Sequence, residues 1–128
     1  MTTSERESLD ALAEMVIGAA YEVANTLGAG FLEKVYELAQ ATELRLRGII
    51  VETQSPFIVR YKGEDVGTCF ADVLVDRRLI VEVKCAEAFG NEHLAQTLNY
   101  LKATDLRLGL LINFQKPKVE WRRIVYRF

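Results

Sequence analysis

The order of hydrophobic periods in this 128-residue chain predicts an α/β fold, a mixed β-sheet flanked by helices. Two amphipathic helical stretches open the sequence, and short strand-like segments fill the middle. A further helical stretch then bridges two apolar runs near the end. The length is that of one domain, divided into a leading helix (1–28) and a core (30–125).

The elements follow in order. Leu9, Leu12, Met15, Val16, Ala19, Ala20, Val23 and Leu27 recur at the steps of one helix face, and Gly28-Ala29-Gly30 stops that helix. A second helix runs from about Phe31 to Arg47 with Leu32, Val35, Tyr36 and Ala39 on its stripe, and Gly48 ends it. Ile49–Val51 and Phe57–Tyr61 read as two short strands flanking Gln54-Ser55-Pro56. Lys62–Asp65 is a turn, followed by strands Val66–Val75 and Leu79–Cys85 hinged at Asp76-Arg77-Arg78. A third helix, about Asn91 to Ala103, carries Leu94, Leu98 and Leu101 on one face. Leu108–Ile112 is nearly all apolar, as a strand covered on both faces would be, and Val119–Tyr126 is a last strand. The expected order is α-α-β-β-β-β-α-β-β, with a parallel crossover through the third helix.

Composition narrows the function classes. Half the residues are hydrophobic and 27% are charged, a globular balance. The start, Met1–Glu7, is polar and lacks the build of a secretory signal, and no apolar run approaches the ~20 residues of a membrane span. Two cysteines, Cys69 and Cys85, are too few for a disulfide framework. A cytoplasmic, reduced protein is expected. Sixteen basic and eighteen acidic residues give a formal charge of −2, which disfavours a passive nucleic-acid binder. It disfavours a metalloenzyme less, because a bound divalent cation would cancel it.

The chemistry concentrates in Ala71-Asp72-Val73-Leu74-Val75 and Val81-Glu82-Val83-Lys84, where polar residues interrupt apolar strands. Alternation puts Glu82 and Lys84 on one face. If Val75 pairs with Leu79, Asp72 falls opposite Glu82 and Phe70 opposite Lys84, with Cβ atoms about 5 Å apart. A slip of one residue would turn Asp72 to the other face. Carboxylates that close repel each other unless compensated, and a hard cation such as Mg²⁺ compensates them. A surface Asp–Lys or Glu–Lys ion pair is the plain alternative. The same register sets Cys69 opposite Cys85, away from the carboxylates, as packing thiols.

This arrangement resembles the PD-(D/E)xK nuclease superfamily. The resemblance implies a restriction-endonuclease-like core (α-β-β-β-α-β), here with an extra N-terminal helix. Asp72, Glu82 and Lys84 match the superfamily's motif, with Ala71 in place of its proline. Gly30-Phe31-Leu32-Glu33-Lys34-Val35-Tyr36 fits the pattern of the small GxxExxY proteins, and Gln96–Tyr100 fits a QxxxY element on the second core helix. The likeness spans about Ile17 to Val125.

By that resemblance Asp72, Glu82, Lys84 and Glu33 are the catalytic residues. Asp72, Glu82, Glu33 and the Val83 carbonyl would hold Mg²⁺ or Mn²⁺. Gln96, Tyr100 and Tyr36 would line or support the site, although packing alone also accounts for the two tyrosines. His93, on the face of Gln96, is not expected to be a ligand. The implied activity is hydrolysis of nucleic-acid phosphodiesters, with DNA as the expected substrate and low sequence specificity. Cutting both strands would favour a homodimer through the first two helices. The rival from another class is a non-catalytic module that keeps the fold and binds nucleic acid or protein. A phosphohydrolase acting on a small nucleotide would share the site but lacks an evident base pocket.

Overall fold

The computed structural model describes residues 1–128 and contains three helices and five strands. They are α1 (Thr3–Leu27), α2 (Glu33–Leu46), β1 (Val51–Tyr61), β2 (Glu64–Val75), β3 (Leu79–Lys84), α3 (Asn91–Thr104), β4 (Leu108–Asn113) and β5 (Glu120–Val125). The sheet is mixed, in the order β1-β2-β3-β4-β5. Only the β3–β4 pair is parallel, bridged by α3 as the crossover pattern predicts.

α1 starts six residues before the expected Leu9, and the cause is local. Thr2 Oγ1 accepts the Glu5 N–H at 3.1 Å, and the Thr2 N–H donates to the Glu5 carboxylate at 3.1 Å. This reciprocal cap satisfies two amide groups that a helix start otherwise leaves unpaired. The expected pair of short strands in 49–61 is a single strand, β1, of 11 residues. Pro56 is tolerated inside it because β1 is the sheet's edge, where a missing N–H breaks no ladder bond on the outer side. The strand order is therefore α-α-β-β-β-α-β-β.

The core lies mainly between the sheet and the first two helices. Leu12, Val16, Ala20 and Val23 of α1 and Ala41 and Leu44 of α2 pack on Val73, Val81, Val83, Leu108, Leu110 and Ile112. A smaller cluster on the opposite face joins Ala71 and Ile80 to Leu101 of α3. All six residues of β4 are buried, in keeping with the apolar run that predicted a strand covered on both sides.

The link between α1 and α2 is closed by Tyr36, which is fully buried. Its hydroxyl donates to the Gly28 carbonyl at 2.6 Å and accepts the Phe31 N–H at 3.2 Å, while its ring stacks on Phe114 at 4.8 Å. Gly30 holds φ +114° within that loop, a conformation that residues with a Cβ rarely adopt. The loop fixes where α2, with its acidic residues, begins. No helix is long and apolar enough to cross a membrane.

Candidate active site

β2 and β3 pair in the expected register, Val75 with Leu79, Leu74 with Ile80 and Val73 with Val81, and there the ladder stops. At the next rung the Asp72 side chain takes over a backbone role: its Oδ2 accepts the Val83 N–H at 2.8 Å. The strand on the other side is interrupted at the same level. β1–β2 pairing passes from Thr53–Val73 to Ser55–Ala71 and skips Gln54, whose φ is +49°. Such a left-handed residue costs on the order of 1 kcal/mol when it is not glycine. Asp72 thus sits where the sheet opens between β2 and β3.

The break also shifts which side chains face α3. Ala71 and Leu74 are three apart, so a regular strand would send them to opposite faces, yet both pack in the α3-side cluster. Cys69, paired with Phe57, follows Ala71 to that side. The expectation that Cys69 opposes Cys85 away from the carboxylates is therefore corrected. Cys69 comes near Tyr100, Cys85 lies near Glu33, and both thiols are free. Phe70 likewise pairs with Pro56 of β1 and not with Lys84.

Glu82 stands on β3, 2% exposed, beside Asp72. Its Oε1 is buried and has no hydrogen-bond partner. Burial first, then the neighbouring Asp72 charge, push its carboxyl pKa up to about 9, while Lys84 opposes the shift in part. Lys84 Nζ donates to Gln96 Oε1 at 3.4 Å, and Gln96 Nε2 donates to the Tyr100 hydroxyl at 3.3 Å. Tyr100 meets Phe57 edge-on at 4.8 Å. Burial, followed by the nearby Glu82, raises the pKa of the Tyr100 phenol, which stays protonated.

Five of the residues singled out in the sequence (Asp72, Glu82, Lys84, Gln96 and Tyr100) are therefore assembled on one side of the sheet. Val83 joins them through its backbone. Glu33 lies in the exposed first turn of α2, near Cys85, whose thiol pKa is raised by burial and then by Glu33. Tyr36 is in the core, with its hydroxyl engaged by the loop. His93 Nδ1 accepts the Gly90 N–H at 3.1 Å, which ties it to the start of α3.

Three residues escaped the sequence reading. Glu37, one turn beyond Glu33, is buried and accepts from Lys34 at 2.7 Å. Gln54 Nε2 donates to Glu37 Oε1 at 2.9 Å and to Asp72 Oδ1 at 3.3 Å. Asn113, a buried amide ending the apolar β4, bonds both backbone groups of Ala86 and so holds the segment after Lys84. The four-residue step from Glu33 signals Glu37, and a polar end to an apolar run signals Asn113. Nothing local marks Gln54.

The carboxylates suit a hard divalent cation. The donors are oxygens, two acids face each other, and one buried oxygen lacks a partner. No three His, Cys, Asp or Glu side chains converge into a metal-holding group, so such an ion would also need water or backbone oxygen, as Mg²⁺ accepts.

Solved structures share this architecture. The crystal structure of SSO0001 superposes with a TM-score of 0.58 at 15% identity, covering 75% of this chain and 51% of that one. An alkaline exonuclease (LHK-Exo) from Laribacter hongkongensis gives 0.53 at 16% identity, covering 72% and 55%. The chain thus spans about half the length of either protein. No curated protein sequence matches it. The fold is that of a nuclease core with its acids at a split in the sheet. A family model described as the PD-(D/E)XK nuclease superfamily matches residues 10–124, and the chain belongs to that superfamily.

Proposed function

We propose that this protein is a divalent-metal-dependent nuclease of the GxxExxY type, hydrolysing phosphodiester bonds of DNA with low sequence specificity. The observation that carries the reading is Glu82: a buried carboxyl beside a second acid, with one oxygen unpartnered. Such a group is costly to ionise unless a cation accompanies it. Asp72 and Glu82 would hold Mg²⁺ or Mn²⁺, with the Val83 carbonyl as a further donor and Glu33 or Glu37 in support. When bound, the ion supplies an acidified water and neutralises charge on the phosphoryl oxygens.

The chain's own residues do the rest. Asp72 is oriented by the Val83 N–H, which fixes one of its oxygens and leaves the other toward Gln54. Lys84 is steered by Gln96, whose amide is itself anchored on Tyr100, so the ammonium is held beside the acids. There it orients the attacking water or stabilises the negative charge that grows on the phosphate. Phe57 and Tyr100 wall one side of the site. Low specificity follows from short loops, which offer little for reading base edges. A homodimer through α1 and α2 belongs to the same reading, because cutting both strands takes two sites.

Purified protein incubated with supercoiled, linear and single-stranded DNA and with RNA, with Mg²⁺ or Mn²⁺ and with chelator, tests this. Metal-dependent cleavage of DNA that is lost in Asp72→Ala and Lys84→Ala is the expected result. Cleavage persisting in both variants would place the activity elsewhere. Metal binding without turnover on any substrate would mean a binding module.

A further inference from the structure

We infer that Gln54 is a positioning residue for Asp72: it spans from the buried carboxylate of Glu37 to Asp72 and holds the latter ready for a divalent cation. The inference rests on the reading of Asp72 and Glu82 as a metal site. Three observations meet at this residue. Gln54 Nε2 lies 2.9 Å from Glu37 Oε1 and 3.3 Å from Asp72 Oδ1, so the two hydrogens of one amide group serve two acids. Gln54 is the β1 residue that β1–β2 pairing skips, at φ +49°, so its backbone departs from the strand where its side chain meets the two acids. Asp72 Oδ2 is already taken by the Val83 N–H, so the Gln54 contact settles the remaining oxygen.

Glu37 is the anchor of this arrangement. It is 5% exposed and is held from the other side by Lys34 at 2.7 Å. Glu37 Oε1 accepts from Gln54 and so turns the NH₂ end of the amide, not its carbonyl, toward Asp72. The carbonyl would repel the Asp72 carboxylate. Glu37 thus acts at a distance, through Gln54, and need not touch the cation. Partners of this kind behind a metal ligand commonly change affinity by about 10- to 100-fold.

The left-handed backbone makes the idea separable from plain stability. Glycine adopts φ +49° without penalty and asparagine tolerates it, so neither Gln54→Gly nor Gln54→Asn strains the backbone, and the cost to the fold is limited to the lost bond to Glu37. Glycine removes the amide, and asparagine is one methylene short of spanning both acids. The experiment titrates Mn²⁺ into the full chain by calorimetry and records the melting temperature of each metal-free variant. Both Gln54 variants should bind Mn²⁺ about 10-fold more weakly than wild type, or worse, while each remains fully folded at the temperature of the titration. Glu37→Gln, which keeps an acceptor, should retain most of the affinity that Glu37→Leu loses. Wild-type affinity in Gln54→Gly, with Asp72→Asn abolishing binding, would overturn the inference and leave the metal site standing. Absence of Mn²⁺ binding by the wild type would overturn both.

Discussion

At the scale of single residues, the carboxyl of Glu82 determines how the metal-free fold responds to pH. In the unfolded chain it ionises near 4.5, whereas in the fold it keeps its proton up to about 9. Between those values the folded state binds more protons than the unfolded one, so stability falls as pH rises. The contribution is fully present below about 4.5 and is gone once the pH has passed about 9. In chelator, the urea midpoint should therefore decline from pH 5 to pH 9, and Glu82→Gln should flatten that decline. An unchanged slope in Glu82→Gln would assign the pH dependence to other groups. Glu82, Asp72 and Lys84 were legible in the sequence because each is a polar residue inside an apolar strand, and the chain can only tolerate that at a price in desolvation. Gln54 was not legible. Its partners lie 17 and 18 residues away, and its role depends on a backbone angle that no neighbouring residue type demands.

At the scale of elements, the helices and β4 were readable from period and burial, and the difficulties arose at local exceptions. Pro56 made one strand look like two, because the sequence does not say which strand will be the edge. The start of α1 was underestimated because Thr2 and Glu5 lie outside the apolar stripe, although their spacing is itself a capping signal. The placement of α3 matters most for function, since it carries Gln96 and Tyr100. α3 comes down onto β4 at Gly109, where an added Cβ would lie 3.0 Å from the Thr97 methyl and 3.5 Å from the Ile80 carbonyl. Thr97 has no room to retreat: it is fully buried, and its hydroxyl donates to the His93 carbonyl at 3.0 Å. Gly109→Ala should thus push α3 outward and cost roughly 1–3 kcal/mol, as overpacking of a close contact does. The same displacement would loosen the Gln96–Lys84 contact, so DNA cleavage should fall more than the change in melting temperature accounts for. Full activity in a stable Gly109→Ala protein would show that the site does not depend on this approach.

At the scale of the whole molecule, the ladder between β2 and β3 stops after Val73–Val81, beside the interruption of β1–β2 at Gln54, and the gap between β2 and β3 holds Asp72 and Glu82. The surrounding core, packed on both faces, keeps the gap from closing by collapse. The fold therefore maintains two facing acids that it would be more stable without, unless a cation occupies the gap. Linkage turns this into a measurable quantity, since a ligand that binds only the folded state stabilises it by about 2.7 kcal/mol at one hundred times its dissociation constant. Mn²⁺ at one fixed concentration should raise the melting temperature of the wild type, and by more at pH 8 than at pH 6, because binding requires Glu82 to give up its proton. Asp72→Asn removes a ligand oxygen from the gap, so it should gain nothing from Mn²⁺. Calorimetric scans of both proteins at the two pH values check all three expectations together. A wild type that ignores Mn²⁺ at both pH values would leave the gap between the strands with no ion to explain it.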